Sequence, residues 1–233
     1  MNSQTTTKRI VKATLCYSFY ATAVGAAALV IVWEGLHPTS ASCFGERSIV
    51  EILQVVTLLL SICCAFLAGH QNPDYASLPH FFMGAATIAV IREFDFALDR
   101  YVFDGAWQIL AFSVLARTLY RAWRHRLFFK EEVGRFVGRA SFGVMASGFF
   151  TVFIFSRLLG QQILWQAIMG EGYMRVVKRA VEEGTELLGY VLICVGTMEY
   201  LRETLKTFRA HERVSHIKTR FTSQVFFEEK WRH

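Results

Sequence analysis

The chain has 233 residues, of which 53% are hydrophobic and only 19% are charged, and 21 of them are phenylalanine. A soluble domain carries about 25% charged residues, so this composition excludes an ordinary water-soluble fold and a disordered chain. With 3 prolines and 5 cysteines it also excludes a collagen-like chain and a disulfide scaffold. The composition predicts an all-α protein, a polytopic bundle of transmembrane helices.

The apolar stretches define the predicted membrane spans. A helix needs about 20 mostly apolar residues to cross a bilayer. Six stretches are candidates: residues 11–33, 49–69, 79–98, 105–122, 138–156 and 186–201. The third is the least regular, because its apolar run, residues 81–91, leads into several charged residues. The sequence therefore predicts six spans, with four spans plus a re-entrant hairpin as the alternative.

The positions of Lys and Arg near the span ends predict the orientation of the bundle. Basic residues concentrate before the first stretch, between the fourth and fifth, and after the sixth, in residues 8–12, 121–139 and 202–232. This bias predicts that both the N- and the C-terminus are cytoplasmic, as expected for a bacterial inner-membrane protein. The formal net charge of +6 is then a topology signal, and no nucleic-acid binding is expected.

The chain divides into two predicted regions. Residues 1–201 form the transmembrane bundle, and residues 202–233 form a basic, helical cytoplasmic tail. Such a tail suits a cytoplasmic protein partner as well as the lipid surface. Where the tail begins, Glu199 and Arg202 lie three residues apart and are expected to form a local ion pair.

Charged side chains inside the spans are the most informative feature. Each costs at least ~2.5–3.5 kcal/mol at the bilayer centre, so it persists only when it is paired, hydrated or functional. In the predicted topology these residues gather at the periplasmic ends of the spans: Glu51, Gln54, Arg92, Glu93, Asp95, Asp99, Glu182, Glu183 and Glu186. Their spacing predicts shared helix faces for Glu51 with Gln54, and for Arg92 with Asp95 and Asp99.

Arg92 is expected to lie below the headgroups, roughly 10 Å inside the outer end of its span. It therefore needs a carboxylate partner, with Glu51, Glu93 and Glu186 as the candidates. Two interpretations stay open: an ion-pair network that only fixes the helix packing, and a hydrated site for a cation, a proton or a lipid headgroup. The excess of acids over arginines favours a cation.

The sequence predicts no cofactor, and a divalent cation is the one alternative. Carboxylates without His or Cys suit a hard ion such as Mg²⁺ or Ca²⁺, with Glu93, Asp95 and Glu183 as weak candidate ligands. The chain contains no G-x-S-x-G, Walker A or G-x-G-x-x-G motif, so no catalytic residue is assigned and enzyme activity stays open.

Two local patterns predict further structure. Gly134 and Gly138 form a G-x-x-x-G pair, which favours close helix packing inside the bundle or in a homo-oligomer. Residues 165–178 are typical of one amphipathic segment at the outer interface, anchored by Trp165 and Tyr173.

Three hypotheses about function follow. The first is a non-enzymatic channel, transport or sensor subunit that uses the outer acidic and arginine cluster as an ion site. The second is a membrane scaffold that recruits a cytoplasmic partner through residues 202–233. The third is a carboxylate and divalent-metal enzyme that acts on a lipid-linked substrate at the outer leaflet.

Overall fold

A computed structural model describes residues 3–37, 44, 48–71 and 76–230, and every element within them is helical. The helices are α1 (Ser3–Leu36), α2 (Ile49–Gln71), α3 (Ser77–Glu93), α4 (Asp95–Tyr101), α5 (Ala106–Arg124), α6 (Arg126–Val137), α7 (Ala140–Phe150), α8 (Arg157–Leu159), α9 (Gln162–Met169) and α10 (Arg175–Lys230). A π-helical segment (Thr151–Ser156) joins α7 to α8, and a 3₁₀ turn (Gly170–Gly172) follows α9. The predicted all-α class is confirmed.

Three helices in the described part of the chain are long and apolar enough to cross a membrane: Ile10–Leu36, Ile49–Gln71 and Ala140–Leu159. They coincide with the first, second and fifth predicted spans. The other three predicted spans lie in α3, α5 and α10. Of these, α3 has only 17 residues, which is fewer than the ~20 that a perpendicular span needs. The length and apolar composition of these three helices are those of an integral membrane protein. The count of six spans stays a prediction.

The long helix α10 organises the bundle, because α1, α2 and α7 all pack against it, while α3 packs between α2 and α5. Three apolar clusters pack against α10, and the first two overlap along it. They include Leu187 with α1 and α2, Tyr190 with α2, α3 and the π-helical segment, and Tyr200 with α2, α3 and α6. The acidic side chains of α10 at residues 182, 183 and 186 come directly before Leu187, so this packing fixes their position.

Glycines bring α7 and α10 into backbone contact. A Cβ on Gly148 would lie 2.7 Å from the carbonyl oxygen of Gly189, and one on Gly196 would overlap Met145. The predicted G-x-x-x-G contact inside the bundle is wrong, because Gly134 lies on an exposed face of α6 and a Cβ there would meet nothing within 4 Å. The close packing occurs instead where α7 and α10 cross. The spacing of Gly134 and Gly138 alone does not indicate which helix a glycine pair will contact.

The third predicted stretch is not one helix. The chain leaves helical geometry at Phe94, with φ −102° and ψ 14°, so α3 ends at Glu93 and α4 begins at Asp95. Asp95 is the first residue of α4, and its carboxylate accepts a hydrogen bond from the amide of Phe96 at 2.5 Å, whereas the N-cap residue Phe94 makes no side-chain capping bond. The predicted common face of Arg92, Asp95 and Asp99 is therefore wrong.

Two other predicted segments are helical. Residues 165–178 are divided between α9 and α10, because Gly170 adopts a positive φ of 54° between them, and their place at the outer interface stays a prediction. The tail predicted from residue 202 continues the last predicted span as part of α10, which runs without a break to Lys230. Side chains beyond Arg209, and residues 231–233, lie outside the described part of the structure.

Candidate functional site

Arg92 lies at the centre of a charge network between α3 and α10. Its Nη2 donates to Glu186 Oε2 at 2.6 Å, to the Tyr190 hydroxyl at 3.0 Å and to Glu93 Oε1 at 3.1 Å. The Tyr190 hydroxyl in turn donates to Glu93 Oε1 at 2.8 Å. The side chains of Glu93 and Glu186 are only 8% and 5% exposed, so these charge-assisted hydrogen bonds form in a largely desolvated site. Two of the three expected partners therefore hold Arg92.

The second oxygen of the Glu186 carboxylate faces the π-helical segment. Ser156 Oγ donates to Glu186 Oε1 at 2.7 Å, and Arg157 forms an ion pair with the same oxygen. A π-helical turn holds an extra residue, which rotates the side chains that follow it, and such turns are frequent at functional sites. Here Ser156 and Arg157 come directly at its end and both reach α10. Glu186 is therefore fully paired, by two arginines and a serine.

Glu182 forms the outer part of the network, one turn before Glu186. Lys178 Nζ lies 2.8 Å from Glu182 Oε2, and Arg157 Nη1 lies 3.8 Å from Glu182 Oε1. Gly160 leaves room for this carboxylate, since a Cβ there would lie 2.5 Å from Glu182 Oε1. Arg157 thus links Glu182 with Glu186.

Gln54 and Glu183 form the part of the network that makes no ion pair with a described side chain; Arg92 acts on Glu183 only through its charge. Gln54 is fully buried, and its Nε2 donates to both the backbone oxygen and Oε2 of Glu183, each at 3.1 Å. Gln54 Oε1 is buried without a hydrogen-bond partner among the described residues. Turning the amide over would aim its oxygen at two other oxygens, so this orientation is the one that the surroundings require. Glu183 enters no ion pair with a described side chain, whereas Glu182 and Glu186 do.

The formal charge of the network is negative. Its acidic members are Glu93, Glu182, Glu183 and Glu186, and its basic members are Arg92, Arg157 and Lys178. Four negative and three positive charges leave a net charge of −1 when all are ionised. Glu51, half-buried in the first turn of α2, acts on Glu183 through its charge as well. A positive ligand near Glu183 would therefore be favoured electrostatically.

Two of the predicted site residues lie apart from this network. Asp95 Oδ1 accepts a hydrogen bond from the amide of Phe96 in the first turn of α4, and Asp99 Oδ1 accepts one from the backbone amide of Gly105 at 3.0 Å. The structure thus brings Gln54, Arg92 and Glu93 together with the three glutamates of α10, and it uses Asp95 and Asp99 to shape the α3–α5 connection. Within the described residues, no three His, Cys, Asp or Glu side chains form a group that could hold a metal ion.

Tyr190, Ser156 and the π-helical segment were not predicted from the sequence. Neither Tyr190 nor Ser156 carries a charge, so neither was among the candidates, which were chosen mainly as charged residues in the predicted spans. A π-helical turn follows from packing and has no composition signal of its own. The sequence gives one usable hint, since Tyr190 lies four residues after Glu186 and therefore on the same face of α10.

Two further buried carboxylates accept hydrogen bonds from backbone amides at the starts of other helices. Glu132 of α6 is 5% exposed and accepts hydrogen bonds from the backbone amides of Leu78 at 2.5 Å and Ser77 at 3.3 Å, at the start of α3. Burial raises the pKa of Glu132, and these backbone bonds only partly oppose the effect. Glu34 is fully buried and accepts a hydrogen bond from the amide of Ile49, at the start of α2.

A smaller polar cluster ties α1 to the far end of α10. Arg202 Nη1 donates to Glu199 Oε2 at 2.9 Å, which confirms the predicted local pair. The same carboxylate oxygen accepts a hydrogen bond from the Tyr20 hydroxyl, and Arg202 also contacts Cys16. Glu199 is thus joined to α1 as well as to its neighbour, and its role is to fix the packing of these two helices.

The fold and the network define a helical membrane protein with a desolvated charge network between three of its elements. No family model, no curated protein and no solved structure matches this chain.

Proposed function

We propose that this chain is a six-span protein of the bacterial inner membrane, with both termini in the cytoplasm. It works as a non-enzymatic channel, transport or sensor subunit, and the network at the periplasmic side of the membrane is its cation-responsive site. The observation that carries the proposal is the pair of Gln54 and Glu183. A fully buried carbonyl oxygen, without a hydrogen-bond partner among the described residues, lies beside a carboxylate that forms no ion pair with a described side chain.

The two parts of the network support different roles. Glu186 and Glu93 are paired on every side by Arg92, Arg157, Ser156 or Tyr190, so this part is rigid and fixes α3 against α10. Gln54 and Glu183 keep unused acceptor capacity. A buried acceptor without a partner costs about 1–3 kcal/mol, which a bound cation would recover.

The donor set favours a small, singly charged ligand. One amide oxygen and one carboxylate suit a proton or a monovalent metal ion that retains some of its water. A divalent ion takes six or more oxygen ligands and strongly prefers several carboxylates. The net charge of the network also favours a single added positive charge.

Cation-dependent thermal unfolding of the purified full chain tests the proposal. Sodium, potassium and choline chloride are compared at equal ionic strength, with Glu183→Gln as the test variant and Glu171→Gln as a matched control. Glu171 is an exposed glutamate outside the network, so the control removes the same charge. A ligand at one hundred times its Kd stabilises the folded state by about 2.7 kcal/mol.

We expect the unmodified chain and Glu171→Gln to be stabilised by one alkali cation relative to choline, and Glu183→Gln to lose that response. A proton ligand would replace the cation response by one to pH, again lost in Glu183→Gln. If all three proteins respond equally to both cations and pH, the network only fixes the helix packing and the proposal is overturned. The scaffold and divalent-metal enzyme hypotheses stay predictions, because no described feature favours either.

A further inference from the structure

A basic and aromatic cavity lies at the turn between α5 and α6, away from the charge network. It has a volume of about 580 Å³. Its basic side chains are Arg124, His125 and Arg126, and its aromatic side chains are Tyr120, Trp123 and Phe128. No carboxylate lines it, so the cavity is positive and apolar at once.

The arginines of this cavity keep their charge available. Arg124 and Arg126 are exposed and form no ion pair with any side chain that the structure describes. The acid that follows on α6, Glu131, is paired instead with Arg135 at 3.5 Å. Guanidinium groups bind phosphate oxygens through paired N–H donors, so two of them at one cavity favour a phosphate group as the ligand.

The surrounding side chains favour a lipid as the source of that phosphate. Trp123 and Leu127 are 70% and 76% exposed at the turn, and the outer face of α5 carries exposed apolar residues such as Phe112 and Leu119. An apolar face that ends in exposed aromatic and then basic residues is typical of a helix that reaches the membrane–water interface. Acyl chains can lie along α5 while the headgroup enters the cavity.

We propose that the α5–α6 turn binds the headgroup of an anionic phospholipid, with Arg124 and Arg126 on its phosphate and Trp123 and Tyr120 against its glycerol and upper acyl region. Basic pockets beside membrane helices bind anionic lipids in this way. The inference goes beyond the proposed cation response, since it uses no residue of that network and requires only that α5 reaches the membrane surface at this turn.

Native mass spectrometry of the full chain tests the inference, with phosphatidylglycerol titrated against phosphatidylcholine that has the same acyl chains. The test variant is the double substitution Arg124→Gln and Arg126→Gln. The control is Arg100→Gln with Arg175→Gln, which removes two exposed arginines elsewhere and changes the net charge equally. A third variant, Arg124→Lys with Arg126→Lys, keeps the charge and loses only the guanidinium geometry.

We expect the unmodified chain and the control to retain phosphatidylglycerol in preference to phosphatidylcholine. The double glutamine variant should lose on the order of tenfold in apparent affinity, and the lysine variant should lose less. Millimolar inorganic phosphate should not displace the lipid. Equal lipid retention by the glutamine variant and the control would overturn the inference, and so would full displacement by phosphate, which would indicate a site for a free anion.

Discussion

Arg92 and Glu186, which lie 94 residues apart in the sequence, form a 2.6 Å ion pair that joins α3 to α10. The Glu186 side chain is 5% exposed, and its other oxygen is occupied by Ser156 and Arg157. A buried pair of this kind adds little net stability over an apolar pair, but removing one partner leaves a desolvated charge behind. The pair therefore specifies how α3 and α10 align.

Replacing Arg92 with methionine should destabilise the folded protein strongly. The substitution removes the donor shared by Glu93, Glu186 and Tyr190, and breaking a buried pair in this way costs about 3–5 kcal/mol. Denaturant unfolding in detergent micelles measures the change. Arg100→Met is the matched control, since Arg100 is exposed at the end of α4 and lies over the Phe96 ring, outside the network. Equal stability of the two variants would contradict the account of the network.

The contact between α7 and α10 should not tolerate a side chain at Gly148. A Cβ there would lie 2.7 Å from the Gly189 carbonyl oxygen and 2.8 Å from the Ile193 amide nitrogen, and backbone atoms cannot rotate away. We expect Gly148→Ala to cost about 1–3 kcal/mol in the free energy of unfolding, as overpacking does. Gly143→Ala, one helical turn and a residue earlier, should be neutral or stabilising by about 0.5–1 kcal/mol, because a Cβ there meets nothing within 4 Å. The reverse ranking would show that the two helices do not pack in this register.

Glu132 predicts a specific pH dependence of stability. Its pKa in the folded protein is raised above an ordinary value of about 4.5, so the folded state binds this proton more tightly than the unfolded state. Its contribution is therefore most favourable below pH 4.5 and is lost as the pH rises through the raised pKa. As the pH rises through that interval, the unmodified chain should therefore lose stability relative to the Glu132→Gln variant.

The neighbouring residue supplies the control for this pH effect. Glu131 is exposed on the same helix, so Glu131→Gln is the matched control for removing one carboxylate from α6. Unfolding free energies measured from about pH 4 to pH 7 separate the two variants. A profile for Glu132→Gln that parallels the unmodified chain would mean that the Glu132 carboxylate is ionised normally.

Asp95 should be dispensable for any cation response, although it lies close in the sequence to the network residues Arg92 and Glu93. Asp95 is exposed, and its carboxylate accepts a hydrogen bond from the Phe96 amide in the first turn of α4. We expect Asp95→Asn to preserve the cation-dependent shift in thermal unfolding that the network confers. Loss of that shift in Asp95→Asn would mean that α4 contributes to the site.

Part of the network was predictable from the depth at which its charged residues lie in the predicted spans. A charge such as Arg92, placed well inside an apolar stretch, needs an acidic partner, and this reasoning gave Glu93 and Glu186 correctly. The break at Phe94 was not predictable in the same way, because neither proline nor glycine marks it. At this break the Asp95 carboxylate accepts a hydrogen bond from the adjacent Phe96 amide, a local bond of the kind that competes with helix continuation. The π-helical turn that delivers Ser156 and Arg157 depends on packing against α10, so an individual stretch of sequence does not encode it.

Binding of a radiolabelled alkali cation to the purified full chain measures directly whether Gln54 and Glu183 hold an ion. We expect saturable binding of about one ion per chain to the unmodified protein and to Asp95→Asn, with loss of binding in Glu183→Gln and in Gln54→Leu. If the site takes a proton instead, proton uptake on acidification should be lost in the same two variants. Binding that is absent in every protein, with no difference in proton uptake, would contradict the claim and leave the network as a device for helix packing.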